Sequence, residues 1–184
     1  MTKKAAGKAP AKDGIAALSS IDDLMAMALA MESEAAERYA EFAEVMEAHN
    51  NREVAELFGK MARIENLHAQ QIRDKMGWTD APPGGARAYR WEGMEGPETG
   101  DHGELHYLMT PHHALKIARM NEQRAHRFYE KLVASAPVGE LRAAAEEMLE
   151  EEAEHVRLMD DWLARTPAPS VNWSEDLDPP NYHD

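Results

Sequence analysis

At 184 residues and a formal charge of −14, the chain is sized for one domain with a sizeable core, and its acidity excludes nucleic acid as the main partner. It has no cysteine, which excludes disulfides, thiolate zinc sites, iron–sulfur clusters and any cysteine-held electron-transfer module in this sequence. Ala, Leu, Met and Glu outweigh β-branched residues, which favours helix, and the longest apolar run, Leu24 to Met31, is too short to span a membrane.

In chain order, residues 1–18 read as a disordered basic tail with Lys3, Lys4, Lys8 and Lys12 spaced by Ala, Gly and Pro. No apolar stretch follows those lysines as a secretory leader would require, so the expected location is cytoplasmic. A first helix starts after Ser19 or Ser20, with Asp22 and Asp23 in its first turn, and reaches about Ala48. Asn50 and Asn51 make a short turn into a second helix, which ends at Gly77. Residues 78–109 are rich in Gly, Pro and aromatics and show no periodicity. A third helix opens with Thr110 as cap and Pro111 in its first position, and ends near Ala136 and Pro137. A fourth runs to about Arg165, where Thr166 and Pro167 stop it, and 166–184 form a polar C-terminal tail.

The two short turns make two antiparallel hairpins. The 32 residues of 78–109 then either join neighbouring ends or cross the full height of the bundle. A helix of 25 residues rises about 38 Å, which an extended chain of that length spans easily. The expected fold is an all-α four-helix bundle over 19–165, with one long crossover (78–109) between the second and third helices.

Each helix carries an inward stripe with steps of three and four, apolar except in its middle. There the first and third helices place Glu32 and Glu122, and the second and fourth place Glu65-x-x-His68 and Glu152-x-x-His155. From Asn50, Glu32 lies 18 residues back, while Glu65 and His68 lie 15 and 18 forward. From Pro137, Glu122 lies 15 back, while Glu152 and His155 lie 15 and 18 forward. In an antiparallel hairpin equal distance from the turn means equal height, so all six side chains converge on one level of the core. Four buried carboxylates need compensation, since desolvation costs several kcal/mol per ion before repulsion is counted. Two divalent cations supply it: four carboxylates and two neutral imidazoles leave a neutral core. One Glu from each of two helices and Glu-x-x-His from the other two is the ligand set of di-metal carboxylate bundles.

On these residues the chain resembles the rubrerythrin branch of the ferritin-like di-iron carboxylate superfamily, without a rubredoxin-type module. Glu32-x6-Tyr39 recurs as Glu122-x6-Tyr129, offset by 90, and Glu65-x-x-His68 recurs as Glu152-x-x-His155, offset by 87, an internal repeat that implies a pseudo-twofold axis. The resemblance implies two iron ions, with zinc or manganese as possible substitutes, bridged by Glu65 and Glu152. Glu32 and Glu122 would be terminal ligands, and His68 and His155 would cap one iron each. It further implies an oxidoreductase acting on peroxide or dioxygen, of peroxidase or ferroxidase type; the alternative is a non-catalytic iron-binding or storage protein. The expected partners are the small oxidant, an external electron donor and a second copy in a homodimer. The chain departs from the family at Ala125, where rubrerythrins commonly carry a further glutamate. The expectation is that small oxidants reach the centre beside the third helix, where Ala125 leaves room.

Tyr39 and Tyr129 lie about 10 Å along their own helices from Glu32 and Glu122, and read either as donors to ligands on neighbouring helices or as aromatic core filling. His126 follows Glu122 by one turn and reads as a flank residue or a further ligand. His112 and His113 read as surface residues, the stretch 101–106 as ligand-like residues without a partner, and the 12 methionines as core packing.

Overall fold

A computed structural model describes residues 18–79, 82, 103 and 105–170. Its four helices are α1 (Ile21–Ala48), α2 (Arg52–Met76), α3 (Pro111–Ser135) and α4 (Glu140–Arg165), and the described residues contain no strand. No helix among the described residues is long and apolar enough to cross a membrane. Residues 1–17 of the expected basic tail of 1–18, most of the crossover and the end of the C-terminal tail lie outside the described residues, while Leu18 packs against the core.

Local chemistry sets the helix ends. Ser20 caps α1 by accepting from the Asp23 amide, and Asn51 accepts from Val54 at the start of α2. Asn50 takes the left-handed conformation (φ 58°) that lets the first hairpin turn, a role asparagine fills at little cost. Gly77, with φ 68°, ends α2 as a left-handed C-cap. Pro111 opens α3 beneath Thr110. His113 is no plain surface residue: its Nδ1 accepts the Thr110 backbone N–H at 3.1 Å. His112 Nδ1 lies 3.4 Å from the Thr166 carbonyl, so the two histidines help pin the start of α3.

The core divides into two apolar clusters at opposite ends of the bundle. One gathers Tyr39, Phe42 and Met46 from late α1, Val54, Phe58 and Met61 from early α2, Leu115 from early α3 and Met159 from late α4. The other gathers Leu24 and Met27 from early α1, Ile72 from late α2, Leu132 from late α3 and Met148 from early α4. The start of α3 therefore sits at the end where α1 turns into α2, while α2 ends at the opposite end. The connection between α2 and α3 must traverse the bundle's height, which is the ferritin-like topology. Asn51 ties the arriving end of that connection to the α1–α2 turn, donating to the carbonyls of Tyr107 and Met109. Between the two clusters lies a polar level that carries the functional residues.

Candidate metal centre

The buried polar residues of the bundle are Glu32, Glu65, Glu122 and Glu152, at 7, 5, 5 and 2% exposure, together with the fully buried Asn121. One glutamate comes from each helix, and each sits on the stripe that faces the other three helices. Glu32, Glu65 and His68 form one cluster with metal-ligand spacing, and Glu122, Glu152 and His155 form a second. His68 Nδ1 lies 3.5 Å from Glu32 and 3.2 Å from Glu65. His155 Nδ1 lies 3.5 Å from Glu122 and 3.5 Å from Glu152, so the contacts follow the repeat. The two imidazoles stack against each other, with centroids 4.4 Å apart and planes 6° from parallel. The six residues singled out from the sequence therefore meet at one level.

Burial pushes the Glu32 carboxyl up to about 8, and the charges of Glu65 and Glu152 add to the rise. Burial likewise raises Glu122 to about 7, helped by Glu65 and Glu152. Glu65 and Glu152 thus act on both clusters. Burial works against a charged His68, yet the carboxylates of Glu32 and Glu65 overcome it and lift the ring to about 10. The same balance, with Glu122 and Glu152 as partners, lifts His155 to about 11. A raised Glu32 and a raised His68 compete for one proton, as do Glu122 and His155. The direction that holds is that the unmetallated cluster retains more protons than its separated groups would.

These observations fit a pair of metal ions. The terminal oxygens Glu32 Oε2 and Glu152 Oε2 are buried without a hydrogen-bond donor, a costly state that a cation relieves. Bonds of about 2.1 Å put neighbouring ligand atoms roughly 3.0–3.4 Å apart, close to the nitrogen–oxygen separations within each cluster. Two imidazolium rings stacked face to face would repel; as neutral ligands they do not. Carboxylate with imidazole, and no thiolate, suits iron, manganese or zinc.

Around the centre, Tyr39 and Tyr129 reach across to the opposite hairpin. Tyr39 Oη accepts from Asn121 Nδ2 at 3.1 Å, and Tyr129 Oη donates to Met31 Sδ at 3.9 Å. Asn121 and Met31 each precede a buried glutamate, and the offset of 90 makes them counterparts. Asn121 escaped the reading of the sequence, although a polar residue where the repeat has methionine was a visible signal. His126 is partly buried and belongs to neither ligand cluster. Of the stretch 101–106, residues 101, 102 and 104 lie outside the described residues.

The expected opening beside Ala125 is not there. Ala125 is fully buried, and its counterpart under the repeat, Ala35, is buried too, so the missing glutamate leaves a symmetric and closed position. A space that does reach the centre is a cavity of about 280 Å³ on the histidine side, bounded by α1, α2 and α4. Glu32, His68 and His155 line it at the centre, with Gln71, Lys75, Glu151 and Glu154 as its polar wall and Met25, Ile72 and Met148 as its apolar one. The four polar wall residues also went unnoticed in the sequence, because they lie off the inward stripe.

The rubrerythrin family model matches residues 23–83, which span α1 and α2 with Glu32, Glu65 and His68. A solved structure of an uncharacterised conserved protein from Magnetospirillum magnetotacticum MS-1 is similar at 38% identity and a TM-score of 0.61, covering 84% of this chain and 100% of that one. Curated proteins yield no match to the chain.

Proposed function

Because this chain belongs to the rubrerythrin family of ferritin-like proteins, we propose that its six clustered residues hold two iron ions and that it is an oxidoreductase reacting with peroxide or dioxygen. The observation that carries this reading is four carboxylates buried at one level, each cluster completed by a histidine. When bound, the iron pair supplies the two electrons that a peroxide bond takes on cleavage.

The chain's own residues do the rest. Glu65 and Glu152, whose charges act on both Glu32 and Glu122, would be the ligands shared by the two ions, while Glu32 and Glu122 would each serve one. His68 and His155 turn Nδ1 toward Glu32 and Glu122 and would each hold one ion. Tyr39, held by Asn121, and Tyr129 place hydroxyls one layer out from the ligands, where they orient the helix segments that carry Glu32 and Glu122. The electron donor lies outside this sequence, which has no cysteine to hold a second redox centre.

Anaerobic loading with ferrous iron, followed by rapid mixing with peroxide and with dioxygen, tests the proposal. The expected result is uptake of iron to about two ions per chain and single-turnover oxidation faster with one oxidant than that of iron free in buffer. Iron held without accelerated oxidation would favour the binding or storage alternative.

A further inference from the structure

The repeat that makes the two ligand clusters alike fails at the cavity wall. Under the offset of 87, Glu151 answers to Ile64, Glu154 to Leu67, Gln71 to Leu158 and Lys75 to Trp162. These four residues of the open side are polar or charged and their four counterparts apolar, while Met25, Ile72 and Met148 complete the cavity's lining. The floor is one-sided as well: the cavity touches Glu32 but not its counterpart Glu122. Glu32 is buried and its Oε2 has no hydrogen bond, with His68 Nδ1 at 3.5 Å, so an under-satisfied carboxylate oxygen lies at the inner end of the passage.

We propose that this cavity is the entry route for a divalent cation, with Glu151 and Glu154 taking the ion from water and Glu32 receiving it. The inference rests on the reading of the six-residue centre as a metal site. A volume of about 280 Å³ holds a cation with its first water shell, at roughly 30 Å³ per water. Glu151 has His68, His155 and Glu152 among its electrostatic neighbours, as well as Lys75. Lys75, on the wall, pairs with Glu147 at 2.8 Å, and Arg157 lies 3.0 Å from Glu150 and 3.8 Å from Glu154. A narrow passage with low-dielectric walls focuses the field of its carboxylates and raises the local concentration of cations. The first ion then arrives at Glu32, Glu65 and His68, and the Glu122 cluster is reached past it, through the carboxylates that face both. The apolar half offers a hydrated ion nothing to exchange its waters for.

The test is cobalt(II) uptake by the metal-free chain, followed in a stopped-flow instrument by visible absorption, with metal content measured at equilibrium. Glu151→Gln with Glu154→Gln should slow uptake about tenfold at low ionic strength, the lower end of what focusing clefts contribute. The difference should vanish in about 1 M salt, where the Debye length is roughly 3 Å, and the final metal content should equal that of the wild type. Gln71→Trp, which narrows the passage, should also slow uptake, whereas the counterpart variant Leu158→Trp should not. A wild-type rate in the double glutamine variant, or equal slowing by Gln71→Trp and Leu158→Trp, would overturn the entry route while leaving the metal centre standing. Failure of the wild type to take up cobalt at all would overturn both.

Discussion

Asn121 shows how one side chain sets the two halves of the centre apart. Its amide donates to Tyr39 and its carbonyl oxygen accepts from Arg124 at 3.2 Å, all within the buried level beside Glu122. Asn121→Leu should cost about 1–3 kcal/mol, the usual loss when buried hydrogen bonds to neutral and charged partners are removed. Met31→Leu, at the counterpart position, should cost less than about 1.5 kcal/mol, because shape and polarity are nearly kept. Urea unfolding of the two metal-free variants compares them directly, and equal losses would show that the asparagine is only filling space. The ligands themselves make a prediction about pH. Glu32 rises from 4.5 to about 8 and His68 from 6.5 to about 10, so in both cases the folded state holds protons that the unfolded chain has released. Stability contributed by the protonated cluster is full at acidic pH and falls as pH rises through those folded values. The metal-free protein should therefore melt lower at about pH 9 than at about pH 6, and metal binding near neutrality should release protons. Melting scans, and calorimetric titrations in buffers of different ionisation enthalpy, check the two halves of this claim. A melting temperature that climbs between those pH values, or binding without proton release, would contradict it.

At the scale of the helix, Asn51 does two jobs with one side chain. Its oxygen caps α2, and its amide nitrogen holds the carbonyls of Tyr107 and Met109 where the chain arrives at α3. Asn51→Asp keeps the cap and loses both donors, while Asn51→Ala loses everything. The alanine variant should cost about 2 kcal/mol or more and the aspartate variant an intermediate amount, since a cap alone is worth about 1 kcal/mol. Equal stabilities for the two variants, measured by chemical denaturation, would mean that the tie to the start of α3 contributes nothing. The element boundaries were legible in the sequence because strong local signals mark them: Ser20, Asn51, Gly77, Thr110 with Pro111, and Thr166 with Pro167 each act within one turn. The roles of His112 and His113 were not legible, because a histidine in a helix's first turn carries no fixed capping signature. The contact of His112 depends on how α3 meets the end of α4, and that of His113 on its rotamer within the first turn.

For the whole molecule, topology follows from which helix ends share an apolar cluster, and the polar level follows from the repeat. Both were within reach of the sequence, since each depends on spacing along a helix and on distance from a turn. The route to the centre was not. It depends on side chains off the inward stripe of α2 and α4, and on how far apart those helices stand, which spacing does not encode. The gap at Ala125 looked like an opening because it was judged from one helix alone, whereas Ala35 and Ala125 pack symmetrically into a closed core. The central claim concerns the six residues at the middle of the bundle: Glu32, Glu65, His68, Glu122, Glu152 and His155. The most direct measurement is anomalous diffraction at the iron edge from crystals of the chain loaded anaerobically with ferrous iron. The account predicts two peaks about 3.5–4 Å apart, lying between those six side chains, with Glu65 and Glu152 contacting both ions. An empty centre, or iron bound only at carboxylates on the outer surface, would contradict it.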